Sequence, residues 1–331
     1  MKYYLLSGLF FLQSIFLFSQ TEKENDFFRS YLLFQKARIS IYKKDYKQAL
    51  EQCEQAFANM DYIATSELYF VTICAALTYD TNKMFSYMEM TLKRGVLFSQ
   101  YEENISAFAP YMALPKWQEL KNNQQNYYLQ YESSINKEYK RTLDSLDRED
   151  HKVRRFLVGG KKINKKKLRR LQYVDSSAIA LFYQWYDKYG YPYEGNIGKP
   201  ELGHSVFFGY MFLYHHHIDS GLLAIQRQAV IEGKMQLHQY ERKLNYINMV
   251  NKEPLAFKPP LTPLDTLIIA FAWWSRPKNE QDYQLANSIR NAIDYPSIEE
   301  EMNLQKQYTE EPVNYYFFDT WGWSKLGKKK K

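Results

Sequence analysis

The sequence predicts an all-α protein, and three observations carry this prediction. From Asp26 to about Leu120, apolar residues recur at spacings of three and four, and no extended stretch alternates apolar with polar residues. The chain holds 13 Gly and 11 Pro among 331 residues, too few for a turn-rich β protein. Residues that typically begin or end helices stand where the apolar pattern starts or stops, as Asp45 and Gly190 do.

The composition is that of a soluble globular protein with a sizeable core. Hydrophobic residues make up 45% of the chain and aromatic residues 17%, which excludes a largely disordered protein. The mean hydropathy is −0.56. A chain of 331 residues is long enough for two domains.

Residues 1–19 match a secretory signal peptide. Lys2 precedes an apolar run from Leu5 to Phe18, and the polar segment 20–26 follows. We expect cleavage after Ser19 and export to the periplasm or the medium, with an uncleaved N-terminal anchor as the alternative. No later segment is long and apolar enough to span a bilayer, so we expect no transmembrane segment after the signal is removed.

In an exported protein the two cysteines, Cys53 and Cys74, can be interpreted in two ways. They either form a disulfide bridge or are two small core residues on neighbouring helices. Their spacing fits no zinc pattern.

The positive charge is concentrated in two segments. Residues 152–170 hold ten Lys or Arg and no acid, and residues 328–331 are four lysines. The rest of the mature chain carries 29 basic and 37 acidic residues. Residues 152–170 are therefore either a solvated loop and helix start or a polyanion contact centred on Lys165, Lys166 and Lys167. We expect no nucleic acid partner, because the chain shows no reading motif and is predicted to be exported.

Residues 20–123 are predicted to form helical hairpins. In the first, Asp45 caps the second helix, and Gln48 follows at capping-box spacing. The second hairpin covers residues 65–94. The apolar and small residues that define the two hairpins are Leu33, Ala37, Tyr46, Ala49 and Ala56 in the first, and Ala75, Ala76, Tyr79, Phe85, Met88 and Leu92 in the second.

This pattern resembles the tetratricopeptide repeat (TPR), although the second hairpin lies about 39 residues after the first rather than about 34. The resemblance implies a stack with a concave face that binds a protein or peptide, capped by residues 102–130. Candidate anchors on the first helix of each hairpin are Tyr31, Phe34, Tyr69 and Phe70, because aromatic side chains dominate many interfaces. Core packing is the alternative for each of the four.

Residues 124–253 are predicted to form a second helical domain. A long helix from about Gln124 to Arg155 joins it to the hairpins, and Asp175 caps a helix that ends at Gly190. Further helices are expected near 203–217, 219–232 and 235–249.

Several short motifs in this domain resemble an uncharacterised bacterial family, a domain of unknown function often found behind TPR-like helices in exported proteins. The motifs are residues 146–151 with Arg154, then Asp175, residues 188–192 with Gly198, residues 215–219, and residues 240–242. The resemblance implies a helical fold and export, and it supplies no reaction.

Residues 254–331 are predicted to be a helical extension. Thr262, Pro263 and Asp265 begin one helix, and Ser297 with Glu300 begins another. Residues 315–323 form an aromatic strip that either docks on the body of the protein or remains exposed as a binding patch, and the chain ends in the basic tail.

The candidate catalytic residues surround the histidine cluster at 215–217. They are His151, His216, His217, Asp219 and Arg242. If a site exists, we expect His216 or His217 to line a common pocket with His151 and Arg242; structural histidines are the alternative. The sequence lacks a phosphate-binding glycine loop, a G-x-S-x-G motif and an H-E-x-x-H motif, so it does not resemble a conventional enzyme. We expect no cofactor and no metal. The leading functional hypothesis is an exported scaffold or protein-interaction protein; the alternative is a hydrolase or metal-binding protein that uses the cluster.

Overall fold

The computed structural model describes residues 2–154, 165–198, 220–237, 239–241, 243–244, 262–271, 280–310, 317–319 and 322–324. The chain divides into two compact units. The first contains residues 1–63, 231–233 and 257–308, and the second contains residues 64–230, 234–256 and 309–331. This division separates the two predicted hairpins and places the C-terminal helices in the same unit as the first hairpin.

The predicted all-α class is confirmed. A 3-10 turn covers Ala109–Tyr111, and two three-residue strands, β1 (Phe317–Asp319) and β2 (Gly322–Ser324), pair antiparallel. The helices, in chain order, are α1 (Lys2–Tyr42), α2 (Tyr46–Phe57), α3 (Thr65–Leu77), α4 (Thr81–Leu92), α5 (Phe98–Glu103), α6 (Ile105–Phe108), α7 (Pro115–Asn122), α8 (Gln124–Ser134), α9 (Lys137–Arg154), α10 (Lys165–Tyr189), α11 (Glu194–Ile197), α12 (Ser220–Ile231), α13 (Pro263–Phe271), α14 (Glu280–Ala292) and α15 (Ile298–Glu310).

In the first unit, α1 and α2 form the first predicted hairpin. Ala37, Ala49 and Ala56 are fully buried, which lets the two helices approach closely. Asp45 caps α2 by accepting a hydrogen bond from the Gln48 backbone N–H, as predicted. The Gln48 side chain accepts a hydrogen bond from the Ser40 hydroxyl.

Helices α13, α14 and α15 complete the first unit. Both predicted helix starts are confirmed: Thr262 and Asp265 exchange side-chain hydrogen bonds with each other's backbone N–H groups, and so do Ser297 and Glu300. A carboxylate from α1 also caps α13, because Glu24 accepts a hydrogen bond from the Leu264 N–H.

In the second unit, α3 and α4 form the second predicted hairpin, and α5 to α7 pack against it. The side chains of Phe98, Tyr101, Phe108 and Trp117 are buried and form edge-to-face and tilted aromatic contacts. The TPR-like stacking of the two hairpins stays a prediction.

Two helix boundaries in the second unit differ from the predictions. The single helix expected from Gln124 to Arg155 is interrupted after Ser134, and Asn136 caps α9 by accepting a hydrogen bond from the Tyr139 N–H. The predicted N-cap Asp175 lies inside α10, which begins ten residues earlier at Lys165. The predicted end of α10 at Gly190 is confirmed, since its φ of +74° is readily adopted only by glycine.

Helices α9, α10 and α12 enclose the core of this region. Its buried residues are Tyr139, Leu143, Ala178, Phe182, Ile197 and Leu222. The α12 helix lies where residues 219–232 were predicted to be helical. The helix predicted at 203–217 lies outside the described residues.

Three further predictions concern the whole chain. Cys53 and Cys74 are buried and are not joined by a disulfide, so the disulfide alternative is wrong and the core alternative is confirmed. Within the described part of the chain, no helix has the length and apolarity needed to cross a bilayer. The backbone of β1 runs beside α3, as docking of the aromatic strip predicts; the side chains of this strip lie outside the described residues.

Candidate functional site

The buried face of α9 is acidic. Asp144, Asp147 and Asp150 follow at three-residue spacing, and their residues are only 6%, 4% and 1% exposed. Buried carboxylates are rare in proteins unless charged or hydrogen-bonding groups compensate for the lost hydration. The residues around this face are therefore the strongest candidates for a functional site in the second unit.

Cations from the same helix balance two of these carboxylates. Lys140 Nζ lies 2.7 Å from Asp144 Oδ2, and Arg154 Nε lies 2.8 Å from Asp150 Oδ1. Both pairs have i,i+4 spacing, which brings the side chains together on one side of a helix. Arg154 also reaches α10, where its terminal nitrogen lies 2.5 Å from Asp175 Oδ1.

His151 belongs to the same cluster. Its Nε2 lies 3.7 Å from Asp147 Oδ2, one turn earlier on α9, and about a third of its side chain is exposed. Among the predicted catalytic candidates, His151 is the one that lies within the described residues. His216, His217, Asp219 and Arg242 lie outside the described residues.

The chemistry of this cluster is that of buried charges paired with one another. Lys140 pairs with Asp144, and Arg154 pairs with both Asp150 and Asp175. Within the described ranges, no group of His, Cys, Asp and Glu has the arrangement needed to hold a metal ion.

Sequence reasoning identified part of this cluster. The motif that ends in His151, together with Arg154 and Asp175, was singled out as a resemblance. Asp144 and Lys140 were missed, although the three-residue spacing of the aspartates and the i,i+4 spacing of each cation are visible in the sequence.

The second notable surface is the exposed face of the first turns of α10, which we call the α10 basic face. It consists of Lys166, Arg169, Arg170 and Tyr173, whose i, i+3, i+4, i+7 spacing puts them on one side of the helix. All four are exposed, Tyr173 at 72%, and the first buried residue of α10 is Ala178.

The predicted basic contact residues lie at the start of the same helix. Lys165 and Lys166 are exposed, and Lys167 is half-buried. The predicted helix start within residues 152–170 is therefore present. Residues 155–164, which complete the basic segment, lie outside the described residues.

Three of the four predicted aromatic anchors are buried, and the fourth is half-buried. Phe34 packs on Phe57 and is 5% exposed, and half-buried Tyr31 packs on Phe271. Tyr69 and Phe70 are buried as well, and burial raises the pKa of the Tyr69 hydroxyl above its ordinary range. Burial of Phe34, Tyr69 and Phe70 agrees with the core-packing alternative for these three residues, and a binding role for half-buried Tyr31 stays a prediction.

No protein-family model, curated protein or solved structure matches this chain.

Proposed function

We propose that this protein is an exported helical interaction protein that binds an acidic segment of a protein partner on the α10 basic face. The observation that carries the proposal is this row of three exposed cations and one exposed tyrosine on one side of α10. The helical hairpins supply the scaffold, and TPR-like stacking is part of the same proposal.

The composition of the face fits a protein interface. Tyrosine and arginine are the residue types that most often dominate binding energy, and here Tyr173 stands one turn after Arg169 and Arg170. The one acid that pairs with this face in the described residues is Glu149, whose carboxylate lies 4.0 Å from Arg170. An exposed pair at that distance contributes little, so the cations stay accessible to a partner's carboxylates.

An acidic protein segment fits this face better than a membrane. The nearest exposed apolar residue in the sequence is Leu168, at 44%, but it lies roughly 140° around the helix from Tyr173, given about 100° per residue. An amphipathic membrane helix needs an apolar stripe on one side. The α10 basic face has no such stripe, so charge pairing is its main means of recognition.

The test measures binding of two synthetic helical peptides to the purified mature protein. One peptide carries Glu at i, i+3 and i+4, and its twin carries Gln there. We expect the Glu peptide to bind with an affinity that falls steeply as salt is raised, and the Gln peptide to bind at least tenfold more weakly. Lys166→Glu with Arg169→Glu is expected to lower the affinity for the Glu peptide at least tenfold.

A matched control carries the same change of charge elsewhere. Lys43 and Lys47 are exposed cations at the α1–α2 hairpin, and K43E with K47E is expected to leave binding unchanged. Equal loss in both double variants would reject the α10 basic face. Binding to phosphatidylglycerol vesicles without binding to the Glu peptide would replace the protein partner with an anionic membrane.

A second candidate function is a hydrolytic or metal-binding site formed by α9 and the His215–His217 cluster. It is favoured by the position of His151 beside Asp147 on a buried acidic face, because a carboxylate can orient an imidazole that acts as a general base or a metal ligand. Stoichiometric metal in the purified protein, lost on His216→Ala with His217→Ala, is the result expected of a metal site. Hydrolysis of an ester or phosphoester panel that the same variant abolishes is expected of a hydrolase.

A further inference from the structure

A fully buried glutamine lies in the core of the second unit. Gln226 is 0% exposed and follows the core residue Leu222 by one turn of α12. The other buried residues of this helix, Ala229 and Val230, are apolar. Neither the oxygen nor the nitrogen of the Gln226 amide makes a hydrogen bond with any of the described residues. A buried amide without hydrogen bonds is costly, so this side chain requires a polar partner.

A second polar group lies beside the Gln226 amide. The Tyr191 hydroxyl, between α10 and α11, donates to the Met235 sulfur at 3.2 Å. A thioether sulfur is a weak acceptor, and the hydroxyl oxygen can still accept a hydrogen bond itself. Burial raises the pKa of the Tyr191 hydroxyl, and Gln226 acts on it in the opposite direction, so the two side chains are neighbours.

The two groups together have the properties of a site for one water molecule. They are close enough to influence each other, yet the amide is not in hydrogen-bond geometry, as expected of polar groups with a water between them. A buried water typically makes two to four hydrogen bonds, and the amide oxygen, the amide nitrogen and the phenol oxygen offer three. Neither side chain is charged and the buried neighbours on α12 are apolar, which disfavours an ion.

We propose that one water molecule is bound inside the second unit, where it bridges the Gln226 amide and the Tyr191 hydroxyl. The water links α12 to the segment that follows α10, two of the helices that enclose this core. It thereby satisfies the buried amide without a charged partner. This inference is independent of the proposed protein partner.

The direct test is a crystal structure of the purified mature protein at a resolution that shows bound water. We expect an ordered water molecule within hydrogen-bond distance of both the Gln226 amide and Tyr191 Oη. A direct hydrogen bond between the two side chains, or the lack of an ordered water at this position, would overturn the proposal.

A pair of substitutions tests the same site in solution. Gln226→Met keeps the length of the side chain and Tyr191→Phe keeps the ring, and each is expected to lower the Tm by about 2 to 4 °C because it leaves the other group and the water short of a partner. The double variant is expected to lose no more than the larger single loss, since both polar groups and the water are then removed together. Fully additive losses would contradict the shared site.

A control pair uses a tyrosine from the α3–α4 hairpin. The buried Tyr69 hydroxyl donates to the Gln100 carbonyl at 3.1 Å, so Tyr69→Phe removes a hydroxyl with a partner of its own. Combined with Gln226→Met, it is expected to lower the Tm by the sum of the two single losses. Coupling of the same size in both pairs would show that the effect is not specific to Gln226 and Tyr191.

Discussion

Arg154 joins two helices by pairing with Asp175, which is 21 positions later in the sequence. The guanidinium lies 2.5 Å from Asp175 on α10 and 2.8 Å from Asp150 on its own helix α9. The Asp150 side chain is 1% exposed and that of Asp175 is 25% exposed. The Asp150 carboxylate therefore has less hydration than Asp175 to compensate for the loss of Arg154. This contact holds the C-terminal end of α9 against the portion of α10 that precedes its first buried residue.

We predict that Arg154→Ala destabilises the second unit by about 3 kcal/mol, because it removes the cation that balances the buried Asp150 carboxylate. Asp175→Ala is expected to cost less, about 1 kcal/mol, since this carboxylate is partly hydrated. Urea unfolding followed by circular dichroism measures both changes. Lys152→Ala is the control, because its partner Glu149 is exposed and the change is expected to stay within about 0.5 kcal/mol. Equal effects of all three substitutions would show that burial of Asp150 is not the cause.

Glu24 is the basis of a prediction about the mature protein. Its carboxylate caps α13, and Phe27 is 5% exposed in the first unit. We expect a chain that begins at Gln20 to have the same Tm as the full chain. A chain that begins at residue 29 is expected to be strongly destabilised, because it lacks both the cap and the buried ring. Thermal unfolding of the two truncated chains tests this difference.

The cap itself is tested by a single substitution. Glu24→Ala in the chain that begins at Gln20 is expected to cost about 1 kcal/mol, the typical contribution of a helix cap. Glu22, an exposed acid on the same helix, provides the control, and Glu22→Ala is expected to leave the Tm unchanged.

Mass spectrometry of the protein recovered from the culture medium or the periplasm gives its N-terminus; an N-terminal Met would contradict the predicted cleavage after Ser19.

Local sequence signals predicted the helix starts well. Asp45, Thr262 with Asp265, and Ser297 with Glu300 cap helices as expected, because a cap depends on residues only three positions apart. The break before α9 was missed for a local reason as well. Tyr127, Tyr131, Tyr139 and Leu143 keep a four-residue period across the break, so the apolar pattern continues although the helix does not.

Contacts between distant residues explain the other differences. Asp175 has the side chain of a good N-cap, but its carboxylate pairs with Arg154 while α10 extends upstream of it. Phe34 and Tyr69 also could not be assigned from local sequence, because an aromatic side chain at helical spacing serves a core or an interface equally well. Only the packing partners, Phe57 and Tyr101, decide between the two.

Arg290 provides a prediction for the first unit. Its residue is 1% exposed, and it donates to the Ala270 carbonyl at 2.7 Å, to the Pro296 carbonyl at 3.2 Å and to Glu301 at 2.9 Å. The guanidinium carbon also lies 5.7 Å from the centre of the Phe271 ring and 5.3 Å from that of the Tyr295 ring. It thereby links α13, α14 and α15.

We predict that Arg290→Met costs about 3–5 kcal/mol, because the Glu301 carboxylate, whose side chain is only 13% exposed, loses its cation and two carbonyl groups lose a donor. Arg290→Lys is expected to recover only part of this loss, since an ammonium group lacks the planar fork that reaches several acceptors. Urea unfolding measures both variants. If Arg290→Lys is as stable as the unmodified protein, charge alone accounts for the contribution and the fork geometry does not.

Glu300 provides a pH-dependent prediction. Its carboxylate accepts a hydrogen bond from the Ser297 backbone N–H at 2.8 Å, and this bond, followed by the Ser297 side chain, lowers the pKa of Glu300 below its ordinary value. A lowered pKa means that the folded protein binds the charged form better than the unfolded chain does. The contribution of Glu300 to stability is therefore fully present above its unfolded pKa of about 4.3 and is lost as the pH falls through the lower folded value.

We therefore expect Glu300→Gln to be less stable than the unmodified protein at neutral pH, and the difference between the two to shrink steadily below about pH 4. Thermal unfolding of both proteins at a series of pH values measures this convergence, and comparing the two at each pH removes the contribution of all other titrating groups. Ser297→Ala, which keeps the carboxylate but removes a hydrogen-bond partner, is expected to show a weaker pH dependence of the same sign. If the curves of the unmodified protein and Glu300→Gln remain parallel into the acid range, Glu300 does not stabilise α15 through its charge, and the uncharged Ser297 cap alone accounts for the helix start.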